Sequence, residues 1–231
     1  MTQTLAQRVI ELNNEAIASA LKGFRQDGVV TLQRALAMVS SIQDTKVAAL
    51  TSSSDLRLGC SVSLSQETQC LKSFEDVFQF FDRAITIPAD DERFLSLACP
   101  LIKARLQATI LYNLGVLCHM EAVCSGSSSI AYTHALQFYA GAYQVLEVTA
   151  RMYGFPQNDV LLVILALFNN MGHIHSSFMM DSNKTRQCVN WMQSAFATPQ
   201  TQQVLTPEDY SFFSQYISVQ ADEQLLISPA A

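Results

Sequence analysis

The sequence predicts an all-α protein built from stacked antiparallel helical hairpins, with one long irregular insertion. Over most of the chain, apolar residues recur every three or four positions, the spacing of a buried helix face. Hydrophobic residues make up 49% of the 231 residues and charged residues 15%, against roughly 25% charged in an average domain. Three helical segments also repeat one short pattern of asparagine and small residues. A chain of this size and composition can bury a substantial core.

The helical pattern predicts a single domain, 1–231, whose parts follow one another along the chain. They are a hairpin at 5–40, an insertion at 52–95, hairpins at 97–152 and 159–197, and a capping helix at 207–226. Leu5, Val9 and Leu12 mark the first helix, and Thr4 is suited to cap it. Gly23 separates this helix from its partner. The first helix of the hairpin 159–197 is apolar nearly all round, which predicts a central, buried position.

The insertion lacks a clean helical period. Ser52-Ser53-Ser54 and the neighbourhood of Gly59 do not repeat apolar residues at helical spacing. Residues 77–87 contain Phe78, Phe80 and Phe81, and periodicity allows either a helix or an extended chain there. Both conformations stay open at this point.

Composition argues against several classes of function. The net charge is -6, and Lys and Arg are scattered singly, so no basic stripe is available for nucleic acid. The N-terminus lacks the layout of a secretory signal, and the apolar run 160–168 is short against the roughly 20 residues that span a bilayer. Six cysteines without a C-x-x-C pair fit reduced thiols. We expect a cytoplasmic protein that binds neither nucleic acid nor membrane.

The repeated pattern lies in the first helix of each hairpin. The three copies are Asn13-Asn14-Glu15-Ala16, Tyr112-Asn113-Leu114-Gly115 and Asn169-Asn170-Met171-Gly172. In each second helix a small, a large and a small residue follow at fixed offsets: Gly28, Leu32 and Ala35; Ala135, Tyr139 and Ala142; Cys188, Met192 and Ala195. Small residues at such offsets let two helices approach closely, and the large residue fills the space beside them.

This pattern resembles the tetratricopeptide repeat, a helical hairpin that stacks into a solenoid. The resemblance covers about half of the chain. It departs from the family because Ala16, Gly115 and Gly172 are not 34 residues apart and because the closing proline of a repeat is missing, with Ser40 in the first copy. The chain is also similar to tetratricopeptide-like proteins of diatoms, which share N-N-x-G and the ending Pro229-Ala230-Ala231. That likeness implies the fold and no function.

The resemblance implies a concave groove and places one set of side chains in it. The candidate groove residues are Asn13, Asn14, Tyr112, Asn113, Asn169, Asn170 and His173. An amide is both a donor and an acceptor, so it can pair with the N–H and C=O of an extended peptide without reading its side chains. No Lys or Arg falls at these positions, which disfavours a clamp for a terminal carboxylate. The leading hypothesis is a non-enzymatic scaffold that binds a protein or an extended peptide in this groove.

Other readings stay open. The asparagines could tie neighbouring helices together instead of binding a ligand. The groove could be filled by the chain's own residues 77–87, which would make the protein a structural subunit. An enzyme site could be assembled across helices near His119 or His173. However, no catalytic motif is present, and His173 and His175 lie on opposite sides of a helix, so they cannot share one metal ion. We therefore expect no metal and no cofactor, and the oligomeric state stays open.

If the groove binds a separate peptide, replacing Asn113 and Asn170 by alanine would weaken that binding and leave the melting temperature nearly unchanged. Loss of folding would instead mark the amides as structural.

Overall fold

The protein is mostly helical, as the sequence predicts. A computed structural model describes residues 4–41, 61–65, 78–88, 99–126, 129–154, 160–198 and 201–215. Its helices are α1 (Leu5–Leu21), α2 (Arg25–Ser40), α3 (Pro100–Cys124), α4 (Ser129–Tyr153), α5 (Leu161–Ser177), α6 (Ser182–Phe196) and α7 (Thr201–Val204). Two short strands, β1 (Ser61–Ser63) and β2 (Arg83–Ile85), precede α3. Residues 207–215 are also helical.

The chain divides into two compact units. The first comprises residues 1–68 and 82–160, and the second comprises 69–81 and 161–231. In the first unit α1 packs against α2, α3 against α4, and α2 against α3. In the second unit α5 packs against α6 and also contacts α7.

The ends of the first helices follow from local chemistry. Thr4 caps α1 as predicted: its Oγ1 accepts the Gln7 N–H at 3.2 Å, and the Gln7 side chain accepts the Thr4 N–H at 2.9 Å. This reciprocal pair satisfies two of the N–H groups that a helix start leaves open. Gly23 follows α1 with a φ of +89°, which suits a residue without a Cβ. Because the connection is so short, α2 runs back along α1.

Two helices, α3 and α5, are buried on most sides. Each is the first helix of its predicted hairpin. In α5, the long apolar run expected to be central is buried from Val163 through His175 with few interruptions. In α3 the buried residues likewise surround the helix, from Ile102 to Ala122. A helix that is apolar all round requires neighbours on every side. These two helices therefore form the centres of their units.

The predicted insertion contains a two-stranded antiparallel sheet. Ser61 lies opposite Ile85, Val62 opposite Ala84 and Ser63 opposite Arg83. Residues 83–85 form a strand and none of residues 78–88 is helical, which decides against the helix that periodicity allowed. Several predicted stretches lie outside the described residues: 52–60, 66–77 and 89–95 of the insertion, 97–98 and 159 at hairpin starts, and 216–226 of the capping helix.

Among the helices that the structure describes, none is both long and apolar enough to cross a bilayer.

Candidate functional site

Six polar side chains on α1, α3 and α5 bind the backbone of the chain's own extended residues. We call residues 78–88 the resident segment. We call the six side chains the asparagine track, whose members are Asn13, Asn14, Tyr112, Asn113, Asn169 and Asn170. The asparagines other than Asn14 are almost completely buried. Their polar atoms therefore need partners within the protein.

In the first unit, two asparagines each bind one residue of the resident segment twice. Asn113 Oδ1 accepts the Ile85 N–H at 2.8 Å, and its Nδ2 donates to the Ile85 carbonyl at 2.9 Å. Asn14 does the same with Ile87, accepting its N–H at 3.0 Å and donating to its carbonyl at 2.7 Å. An asparagine amide thus pairs with a residue's main chain as a neighbouring β-strand would.

Asn13 and Tyr112 directly precede Asn14 and Asn113 in the chain. Each of them binds the segment residue two positions before the one that its neighbour binds. Asn13 Nδ2 donates to the Ile85 carbonyl at 3.2 Å, and the Tyr112 hydroxyl donates to the Arg83 carbonyl at 2.8 Å. The Asn13 Oδ1 atom is also used, because it accepts the Asn113 Nδ2 at 2.9 Å. This bond joins α1 to α3. The amides therefore hold the resident segment and connect two helices at once.

The second unit repeats the same arrangement on α5. Asn170 Oδ1 accepts the Phe81 N–H at 2.9 Å, and its Nδ2 donates to the Phe81 carbonyl at 3.1 Å. Asn169 Nδ2 donates to the Gln79 carbonyl at 2.7 Å, again two residues earlier. In both α1 and α5 the first asparagine also donates to the Oδ1 of the second, at 3.2 Å and 3.1 Å. The repeated sequence pattern thus produces a repeated hydrogen-bond pattern.

The bound residues alternate along the segment. The main chains that the track contacts belong to Gln79, Phe81, Arg83, Ile85 and Ile87. This spacing of two is expected because successive residues of an extended chain point their N–H and C=O groups to opposite sides.

The opposite edge of β2 pairs with β1. The Leu64 N–H donates to the Asp82 carbonyl at 3.0 Å, and Val62 lies opposite Ala84. In an antiparallel ladder this pairing directs the main-chain polar groups of residues 82 and 84 toward β1. The backbone of β2 therefore pairs with a strand on one side and with asparagine amides and the Tyr112 hydroxyl on the other.

Side chains of the resident segment fill apolar sites beside the track. In the second unit the Phe78 ring lies against Gly172, where an added Cβ would come within 3.0 Å of the ring. The Phe81 ring contacts Phe212 and Phe213, each with ring centroids 4.9 Å away, and these two rings also meet each other edge-on at 5.2 Å. In the first unit the buried side chains of the segment are Ala84, Ile85 and Ile87. Contacts of this kind depend on side-chain size, unlike the hydrogen bonds to the main chain.

His173, the last of the predicted groove residues, contacts the segment through its ring. It stacks against Phe80 at 6.0 Å between centroids and meets Phe178 edge-on at 5.5 Å. His119 is buried in the first unit, where its Nδ1 lies 3.3 Å from the Tyr139 hydroxyl and its ring contacts Tyr132 edge-on. Each of these histidines therefore contacts two aromatic rings.

Burial raises or lowers the pKa of several groups in the helices. It raises the pKa of the Cys188 thiol to about 12, and that of Cys118 to about 11 with a further contribution from the nearby Glu121 carboxylate. For His175, burial lowers the pKa, the Lys184 ammonium lowers it further, and the Asp181 carboxylate opposes both. Its Nδ1 is buried and has no hydrogen-bond partner among the described residues. These groups are accordingly kept in their neutral forms.

Within the described ranges, no group of three or more His, Cys, Asp or Glu side chains could hold a metal ion. The chemistry available at the track is hydrogen bonding to a main chain.

Sequence reasoning identified the members of the track but not the side-chain contacts that accompany them. Gly172 belongs to the repeated pattern, but the pattern did not show that it makes room for the Phe78 ring. The contact of Phe81 with Phe212 and Phe213 joins residues far apart in the chain. The sequence signal for these contacts is the group of closely spaced phenylalanines before Ile85. The pattern does not show which residues these rings contact.

No protein-family model, no curated protein and no solved structure matches this chain.

Proposed function

We propose that the protein is a non-enzymatic, tetratricopeptide-like scaffold whose backbone-binding groove is occupied by its own resident segment. The observation that carries this proposal is the pairing of Asn14, Asn113 and Asn170 with one residue each through both N–H and C=O. Such pairing needs an extended chain as its ligand, and the chain supplies one. The function is thus that of a structural or scaffold subunit with a built-in strand.

Helix packing supports the tetratricopeptide-like assignment. In the first unit a Cβ at Gly115 on α3 would come within 3.0 Å of the Tyr139 ring on α4. At Gly28 on α2, it would lie 2.9 Å from the Ala16 carbonyl on α1. A small residue on one helix facing a large residue or a backbone on its partner is the relationship that the repeat pattern implies. The proposal extends this packing to stacked hairpins.

The surroundings of the two histidines favour a scaffold over an enzyme. His119 is in contact with tyrosine rings and His173 with phenylalanine rings. A general base needs a reacting group within hydrogen-bond reach. A buried imidazole in contact with aromatic rings is instead typical of a core position, so both histidines are assigned to packing.

Amide hydrogen exchange measured by NMR tests the proposal. The Phe81, Ile85 and Ile87 N–H groups should exchange slowly, as the helices do, because each donates to an asparagine Oδ1. Exchange of Ile85 should quicken in Asn113→Ala and stay unchanged in Asn190→Ala, which alters an exposed asparagine on α6. Unprotected exchange at all three amides, with protected helices, would mean that the groove is open in solution and would contradict the proposal.

A further inference from the structure

The asparagine track binds the resident segment through contacts that do not identify the chain to which the segment belongs. Its hydrogen bonds to the segment end on main-chain N–H or C=O groups. The same bonds would form with the same residues of a second copy. The track by itself therefore cannot distinguish an intramolecular segment from an intermolecular one.

The apolar sites beside the track do select for sequence. Phe78 lies against Gly172, and Phe81 contacts two phenylalanine rings. Ala84 and Ile85 are 2% and 0% exposed, so a larger residue at the first position would require its surroundings to move. An occupant must match this order of aromatic, small and branched residues. The segment of another copy of this chain matches it by definition.

A vacated track is costly. Phe78, Phe81, Ile85 and Ile87 of the segment are 0 or 1% exposed, and departure of the segment would expose these apolar side chains to water, which is unfavourable. Departure of the resident segment therefore leaves a site that favours rebinding of an equivalent strand. At high protein concentration, that strand can come from a neighbouring molecule.

The connections permit such an exchange. Residues 66–77 and 89–98 join the resident segment to β1 and to α3. A chain of the shorter length can span roughly 35 Å when extended, several times the diameter of a helix at about 10 Å. Because β1 pairs with β2, it would be exchanged together with the segment, and the residues that then join it to α2, 42–60, are more numerous than 89–98. The segment also carries one acidic and one basic residue, Asp82 and Arg83, so its own charge does not oppose docking on a second copy.

We infer that the resident segment of one copy can occupy the asparagine track of a second copy, which produces a strand-exchanged dimer. This inference rests on the proposed function, because it requires that the track hold the segment. Intramolecular and exchanged forms contain the same hydrogen bonds. Their ratio is set by protein concentration and by the strain in the connections.

Two complementary variants of the full chain test the exchange. Ile85→Pro keeps the track but removes the N–H that Asn113 accepts. The double variant Asn14→Ala/Asn113→Ala keeps the segment but removes both bidentate partners in the first unit. Each variant is first examined alone by circular dichroism. They are then mixed, warmed briefly and examined by native mass spectrometry.

A one-to-one heterodimer in the mixture is the expected result, with little dimer in either variant alone. The control is the Ile85→Pro chain mixed with a chain carrying all three substitutions, which should give no heterodimer because no intact segment is available. If both variants are folded and the mixture stays monomeric, exchange is overturned. The proposed function is judged separately, by whether each variant alone loses stability.

A second measurement covers the case in which a variant does not fold. Wild-type chains with and without ¹⁵N labelling are mixed, concentrated and warmed, and mixed-mass dimers are sought. The fraction of mixed-mass dimers should rise with the protein concentration used during warming, because only the exchanged form is bimolecular. Absence of mixed dimers at every concentration, or a mixed-dimer fraction that does not depend on concentration, overturns the inference.

Discussion

The Asn113 side chain donates to and accepts from the main chain of Ile85, at 2.9 Å and 2.8 Å, although the two residues lie on different elements. Asn113 is 1% exposed and Ile85 is 0% exposed. The two residues therefore satisfy each other's polar groups away from water, and each one's placement depends on the other.

The first prediction concerns this pair. Asn113→Ala leaves the buried Ile85 N–H without its acceptor and should lower the free energy of unfolding by about 2–4 kcal/mol, since each unsatisfied buried group costs roughly 1–3 kcal/mol. This reverses the expectation from sequence that such a change would spare stability. Urea denaturation measures the effect. Asn190→Ala, at an exposed position on α6, is the control and should change stability by less than about 0.5 kcal/mol. Equal effects of the two variants would contradict a structural role for the Asn113 amide.

The second prediction concerns the glycine beneath Phe78. Gly172→Ala places a Cβ against the Phe78 ring and should destabilise the protein by about 1–3 kcal/mol, the usual cost of overpacking. Gly141→Ala is the matched control in α4, because its Cβ would meet only Leu111 at 3.8 Å, an ordinary contact. That variant should be stabilised by about 0.5–1 kcal/mol through helix propensity. Thermal unfolding of both variants gives the comparison, and a stabilised Gly172→Ala would show that Phe78 does not occupy this site.

The third prediction concerns pH. Because burial lowers the pKa of His175 in the folded protein, the unfolded chain takes up the proton first as the pH falls below about 6.5. The contribution of His175 is therefore fully present above the unfolded pKa and is lost progressively as pH falls toward the folded pKa. Stability measured from pH 7.5 to pH 5 should fall less steeply in His175→Gln than in the wild type. The control is His134→Gln, which changes an exposed histidine on α4. Parallel curves for His175→Gln and the wild type would contradict the prediction.

The fourth prediction concerns thiol reactivity. Iodoacetamide reacts with the thiolate form, and burial raises the pKa of Cys188 to about 12. In the native protein at pH 8, Cys188 should be alkylated much more slowly than Cys124, which is exposed. Peptide mapping by mass spectrometry follows both residues in one sample. The denatured protein is the reference in which the difference should disappear, and equal native rates would show that Cys188 is accessible.

The sequence determined the helical framework because helix periodicity is a local property of the chain. Apolar spacing placed α1 and α2 within 5–40, and Thr4 capped α1 as expected. The repeated pattern also brought out Asn14, Asn113 and Asn170 as equivalent positions, and the structure gives all three the same hydrogen-bond geometry. Equivalent positions on equivalent helices are readable without tertiary information.

Only the tertiary structure decided what these asparagines bind. An amide pairs with any main chain, so its presence cannot distinguish a separate peptide from residues 78–88 of the same molecule. The extended conformation of that segment was likewise undecided, because its phenylalanines fit either a helix or a strand. Gly172, the partner of Phe78, lies nearly a hundred positions further along the chain, and Phe212, a partner of Phe81, lies more than a hundred positions further. Contacts over such separations depend on how the helices pack, which local sequence pattern does not encode.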